Sequence, residues 1–121
     1  MEIGCNTKTI AYENRTFLVN MLNFQNGMIV SISENSPKIG SMLISISSGP
    51  VPSTSIIIPT KSEELFLKLL SEKISSFLRG ICLITGNFEK SLDNETTKQL
   101  MNEIMGEITQ RLETCVNISQ N

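Results

Sequence analysis

No histidine occurs anywhere in this chain. That absence removes the side chain that titrates nearest neutrality, and with it the usual general base, every Ser-His or Cys-His nucleophile pair and the commonest metal ligand. Most hydrolase mechanisms are excluded. Phosphate-binding signatures are missing as well: no glycine-rich loop ends in Gly-Lys-Ser or Gly-Lys-Thr, and no paired-glycine dinucleotide fingerprint follows a strand. Cysteine is scarce and scattered. Cys5, Cys82 and Cys115 are odd in number and far apart, which fits neither a disulfide framework nor a zinc site made of close cysteine pairs. They read as free thiols, Cys82 in an apolar strand and Cys115 on an apolar helix stripe, where cysteine serves as a small core residue. Long apolar runs are lacking too. None exceeds four residues, and Ile56-Ile57-Ile58 ends at Pro59, far short of the ~18 residues that span a bilayer, so no membrane partner is expected. Nor is there a basic block: the net charge is −2 and the cations are dispersed, which argues against nucleic acid as a partner.

The opening residues Met1-Glu2-Ile3-Gly4-Cys5-Asn6 hold no basic region followed by an apolar stretch, so the chain is expected in the cytosol, the nucleus or both. Three triplets, at Asn14, Asn94 and Asn117, match the glycosylation acceptor pattern. Without secretion they are expected to stay unmodified. With 121 residues, 40% hydrophobic and 18% charged, residues 1–121 are expected to form a single domain.

The first half alternates with a period of two, the mark of half-buried strands. Arg15 to Phe24 is one such segment. Gln25-Asn26-Gly27 supplies a hairpin turn in which Asn-Gly is expected to take positive φ, and Met28 to Ser33 returns as the partner strand. Gly40 to Ser47 reads as another strand, with Met42, Ile44 and Ile46 on one face and Leu43, Ser45 and Ser47 on the other. Lys8 to Tyr12 is a short leading strand. Ser48-Gly49-Pro50-Val51-Pro52 is a loop, since two prolines and a glycine fit neither ladder nor helix. Thr54 to Ile58 follows as a short strand.

Thr60-Lys61-Ser62-Glu63 has the spacing of a capping box, which predicts a helix from there to about Leu78 with Phe66, Leu70, Ile74 and Phe77 on its apolar side and Gly80 as its stop. Ile81 to Thr85 is a buried strand. Asp93 or Asn94 caps a longer helix whose stripe comprises Leu100, Met101, Ile104, Met105, Ile108, Leu112, Cys115 and Val116. The stripe is too short for the sustained heptads of a coiled coil, so it is expected to pack on the protein's own sheet. Together these elements predict an α+β domain: a mostly antiparallel sheet of about six strands with two helices on one face.

Carboxylates cluster at Glu63-Glu64 and at Glu89, Asp93 and Glu95. Both groups lie at or just before a helix start, where acidic side chains complement the helix dipole, and this placement accounts for them without catalysis. The hydroxyl-rich stretch from Ser47 to Ser55 is ordinary turn material. No enzyme activity, metal or cofactor is expected.

The strand Gly40-Ser41-Met42-Leu43-Ile44-Ser45-Ile46, the proline-containing loop leading to Ser53-Thr54-Ser55-Ile56-Ile57, and then helix, the strand Gly80-Ile81-Cys82-Leu83-Ile84 and a final helix resemble the proteasome assembly chaperones. The likeness is to the chaperone 4 type and to the related chaperone 3 type, whose glycine before the middle strand is matched by Gly40. It covers nearly the whole chain, although the loop Ser48 to Val51 is shorter than the family pattern. The resemblance implies a non-enzymatic chaperone that forms a heterodimer with a sister chaperone, binds proteasome α-subunits and promotes assembly of the 20S proteasome α-ring. A different reading from the same residues is a protein-binding scaffold module of the roadblock or longin kind, whose folds place a helix before or among the first strands. An enzyme working through carboxylates or a thiol would need a pocket holding Cys82 or paired carboxylates.

One surface follows from the alternation. If Met28, Val30, Ile32, Met42, Ile44 and Ile46 meet the helices, then Ile29, Ser31, Ser33, Leu43, Ser45 and Ser47 face the other way. That face is neither charged nor strongly apolar. Phe17 and Val19 on Arg15 to Phe24 are expected to contribute to it. These eight residues, Phe17, Val19, Ile29, Ser31, Ser33, Leu43, Ser45 and Ser47, form the expected protein interface, with a homodimer expected when the sister chaperone is absent.

Overall fold

The computed structural model describes residues 4–59 and 62–119, with side chains as far as Gln110. Thr60 and Lys61 of the expected capping box lie outside the described residues. The elements are β1 (Gly4–Tyr12), β2 (Arg15–Phe24), β3 (Gly27–Glu34), β4 (Ser41–Ile46), β5 (Ser53–Ile58), α1 (Glu64–Leu78), β6 (Ile81–Asn87) and α2 (Asn94–Ser119). They form one six-stranded sheet in the order β1-β2-β3-β6-β4-β5. Every neighbouring pair is antiparallel except β3 and β6. The α+β expectation of two helices and a mostly antiparallel sheet therefore holds.

β1, β2 and β3 are consecutive hairpins, as their alternating sequences dictate. β1 begins at Gly4 and is longer than the segment from Lys8 that periodicity suggested. The turn between β2 and β3 is Gln25-Asn26, with Gly27 already paired to Phe24. Neither Asn26 nor Gly27 takes positive φ; the described residues that do are Glu13, Asn35 and Arg79. Arg79 is the left-handed residue that ends α1. Gly80 is needed there for another reason: a Cβ would sit 2.3 Å from the Asn26 carbonyl oxygen, so only glycine lets the α1–β6 junction pass the β2–β3 turn so closely.

The core lies between the sheet and the helices. Ile10, Phe17, Val19, Met21, Met28, Val30, Ile32, Cys82 and Ile84 supply the sheet side, and Phe66, Leu67, Leu70, Ile74, Leu100, Ile104 and Ile108 the helix side. Met101 and Met105 are partly buried against it. The remaining stripe residues Leu112, Cys115 and Val116 lie outside the described side chains. Phe77, expected on the apolar side of α1, is exposed instead, and Leu67 and Leu78 take up that packing. At the start of α2, Asp93 Oδ1 accepts the Thr96 amide at 2.7 Å, the N-cap its position implied.

β4 corrects the expected faces. Leu43 and Ser45 are fully buried on the helix side, while Met42 and Ile44 are half-buried and Ile46 is exposed. The reason is chemical. Ser45 Oγ lies 2.7 Å from Ser71 Oγ of α1, so the helix approaches β4 through two small hydroxyls that satisfy each other, and the bulkier aliphatic set is turned outward.

Candidate functional site

Register decides which side chains share a face. Across the sheet, Cys5, Leu22, Ile29, Leu83, Ile44 and Ser55 lie in one cross-strand row on the side away from the helices. The adjacent row brings Phe24, Ile81 and Ile46 beside it. Phe24, Ile29 and Ile46 are 39%, 37% and 42% exposed. The result is an aliphatic band crossing an open sheet face.

The charges of the strands sharpen this. Lys8, Arg15 and Glu34 are the charged residues of the six strands. Lys8 stands opposite Val19, Glu34 stands opposite Phe17, and Arg15 shares the parity of Phe17, so all three belong to the helix-side face. The outer face carries no charge on any described strand. A sheet face left to water in an antiparallel sheet normally reads polar, and a contiguous uncharged apolar band of this kind is a candidate contact surface.

The expected interface residues divide between the two faces. Ile29, Ser31 and Ser33 lie on the outer face, with Ser33 buried and its hydroxyl lacking a hydrogen-bond partner. Phe17 and Val19 do not. Both are fully buried core residues, because β2 sends Phe17, Val19 and Met21 inward and Thr16, Leu18, Asn20 and Leu22 outward. Leu43 and Ser45 are likewise buried beneath α1. Ser47 lies just beyond β4, where its amide donates to the Gly80 carbonyl at 2.9 Å. Leu22 and Leu83 are outer-face residues that the expected interface did not include, for want of knowing which strands become neighbours, and Ile44, expected against the helices, joins them because the faces of β4 are inverted.

Two polar assemblies fix the frame of this surface. Arg15 donates to both carboxylate oxygens of Glu34, at 2.9 and 2.7 Å, and to the carbonyls of Lys90 and Ser91 at 2.9 and 3.0 Å. The Glu89 amide donates to Glu34 at 2.9 Å, Asn35 donates to Glu89, and the Arg15 guanidinium lies 5.2 Å from the Phe17 ring centroid. Together they latch the β6–α2 connection onto β2 and β3. Hydrogen bonding from Arg15 holds the Glu34 carboxyl below the ordinary glutamate range, and Glu34 raises Arg15. The second assembly runs from Ser71 through Ser45 to Thr54, 2.9 Å from Ser45, and on to the Glu72 carboxylate. It ties α1 to β4 and β5.

No protein-family model matches the chain, and no curated protein matches it in sequence. Among solved structures, it is similar to a chain of a novel chaperone complex for yeast 20S proteasome assembly, at 15% identity and a TM-score of 0.65, over 94% of this chain and 98% of that one. The two share a fold. The correspondence takes in nearly all of both chains.

Cys82, Asp93 and the buried Ser45 and Ser71 have structural roles. Burial pushes the Cys82 thiol up to about 12, leaving it protonated and unreactive. Asp93 is held low first by the Thr96 backbone amide it caps. Ser45 and Ser71 are fully buried and bonded to each other. Among the described residues no group of three or more His, Cys, Asp or Glu side chains is placed to hold a metal ion.

Proposed function

We propose that this chain is a non-enzymatic chaperone whose outer sheet face packs on a sister chaperone of the same fold. The pair then holds α-subunits of the 20S proteasome while the α-ring closes. The observation that carries this reading is the end-to-end likeness to a chain of a chaperone complex for yeast 20S proteasome assembly. The uncharged outer face supports it independently, because aliphatic and hydroxyl side chains let a second sheet approach to van der Waals distance without burying an unpaired charge. Leu22, Ile29, Leu83 and Ile44 form the centre of that contact. In the absence of the sister chaperone, the same face pairs two copies. The chain works in the cytosol, the nucleus or both, as a single unit over residues 1–121.

Affinity purification from the native cell followed by mass spectrometry tests the proposal. It should recover proteasome α-subunits together with one second small chaperone. Recovery of trafficking or motor components without proteasome subunits would overturn it and favour a scaffold module. Holding a subunit surface requires neither nucleotide nor metal, so EDTA should leave the recovery unchanged.

A further inference from the structure

The two edges of the sheet are built differently. β1 carries Lys8 at its centre, and α2 packs beside it, burying Ile10. A lysine and a covering helix are standard means of keeping an edge strand from pairing with another chain. β5, the opposite edge, also has a helix beside it, α1, but no lysine. Its sequence Ser-Thr-Ser-Ile-Ile-Ile holds no charge, and Ile56, Ile57 and Ile58 are 48%, 52% and 39% exposed. The nearby Glu72 carboxylate is engaged by Thr54 and does not stand guard over the edge. A register shift opposite Met42 and Leu43 distorts the Ile57-Ile58 end, leaving the ladder from Ser53 to Ile56 regular.

We infer that β5 is a strand-addition site for a second copy of this chain, the two β5 strands pairing antiparallel about a two-fold axis. The N–H and C=O groups that an edge leaves to water form a template on which another extended strand can pair. A second copy presents an equally uncharged, hydroxyl-and-isoleucine strand, so no charge is buried on either side. It also uses up both uncharged edges at once, giving a closed dimer rather than a growing fibre. Pro52 and Pro59 flank the strand and stop the ladder from extending. The regular ladder from Ser53 to Ile56 is four residues long, about 13 Å, a short contact beside the extended surfaces of stable interfaces. The association is therefore reversible and concentration-dependent. It is separate from the outer-face contact and does not rest on the chaperone reading.

Sedimentation velocity on the full chain carrying Ile29→Glu, which blocks the outer-face contact, tests this across a concentration series. The weight-average mass should rise toward twice the monomer value, and adding Ile57→Lys should hold it at the monomer. Hydrogen–deuterium exchange on the unmutated chain gives a second readout: amide protection across Ser53–Ile58 should increase with protein concentration. A constant monomer mass for Ile29→Glu, an undiminished rise in the Ile57→Lys variant, or protection that ignores concentration would each overturn the inference. Capture of proteasome α-subunits by Ile57→Lys is read separately, so loss of edge pairing and loss of the chaperone role remain distinguishable.

Discussion

Arg15 and Glu34 meet in a two-pronged ion pair, at 2.9 and 2.7 Å, with side chains 13% and 4% exposed. The pair joins the start of β2 to the end of β3, and its spare hydrogen bonds hold Glu89, Lys90 and Ser91. Removing one partner strands the other charge where little water reaches it. Arg15→Ala should therefore destabilise the fold by about 3 kcal/mol, a loss of roughly 10 °C in Tm. Thermal and urea denaturation measure this directly. A shift below about 1 kcal/mol would mean that the pair behaves as an exposed surface bridge.

Acid should dissolve the same latch. Glu34 sits below its ordinary value because Arg15 hydrogen-bonds the ionised form, so its contribution is complete above the unfolded glutamate value of about 4.3 and is lost as pH falls through the lower folded value. Glu34→Gln has no such proton to bind. The stability gap between wild type and Glu34→Gln should hold steady from neutrality to about pH 5 and narrow below about pH 4. A gap of unchanged size at pH 3 would assign the effect to packing instead of charge.

Much of the fold was legible before the structure because period-two alternation, the Asp93 cap and the Leu100-Ile104-Ile108 stripe are local signals. Neighbours distant in sequence were not. Nothing in the order of the segments says that β6 inserts between β3 and β4, and the outer row Leu22-Ile29-Leu83-Ile44 exists only because it does. The inverted face of β4 has a different cause. Both of its alternating sets are short and uncharged, so hydrophobicity favoured the wrong one, and the Ser45–Ser71 contact that decided the matter depends on a residue in α1. Arg15 and Glu34 were equally hidden, since each reads as an ordinary charge at a strand end until register brings them together.

Those faces separate two glutamate substitutions that would otherwise look alike. Ile29→Glu places a carboxylate on the outer face, where a 37% exposed side chain can reach water in the monomer. Its circular dichroism and Tm should stay close to wild type while binding to the sister chaperone is lost. Leu43→Glu puts the same charge beneath α1 at a fully buried position and should cost several kcal/mol, enough to unfold much of the protein. A folded Leu43→Glu that merely lost its partner would show that β4 presents Leu43 outward.

The hydroxyl chain beneath α1 yields the last prediction. Ser71 is fully buried, lies 2.7 Å from Ser45 Oγ, and donates to the Lys68 carbonyl at 3.0 Å in some orientations of its hydroxyl. Ser45 has a second partner in Thr54 at 2.9 Å. Ser71→Ala removes both contacts but leaves Ser45 satisfied by Thr54, so it should cost only about 1–2 kcal/mol. Ser71→Val is different. Its two methyl groups must occupy the space of one hydroxyl between α1 and β4, in a gap closed by a 2.7 Å contact, and overpacking of this kind costs about 1–3 kcal/mol beyond the lost bonds. The ordering of wild type, Ser71→Ala and Ser71→Val in urea denaturation tests whether small hydroxyls are what let α1 lie so close to β4. If Ser71→Val proved as stable as wild type, the helix would have room to spare, and the inward placement of Ser45 would need another cause.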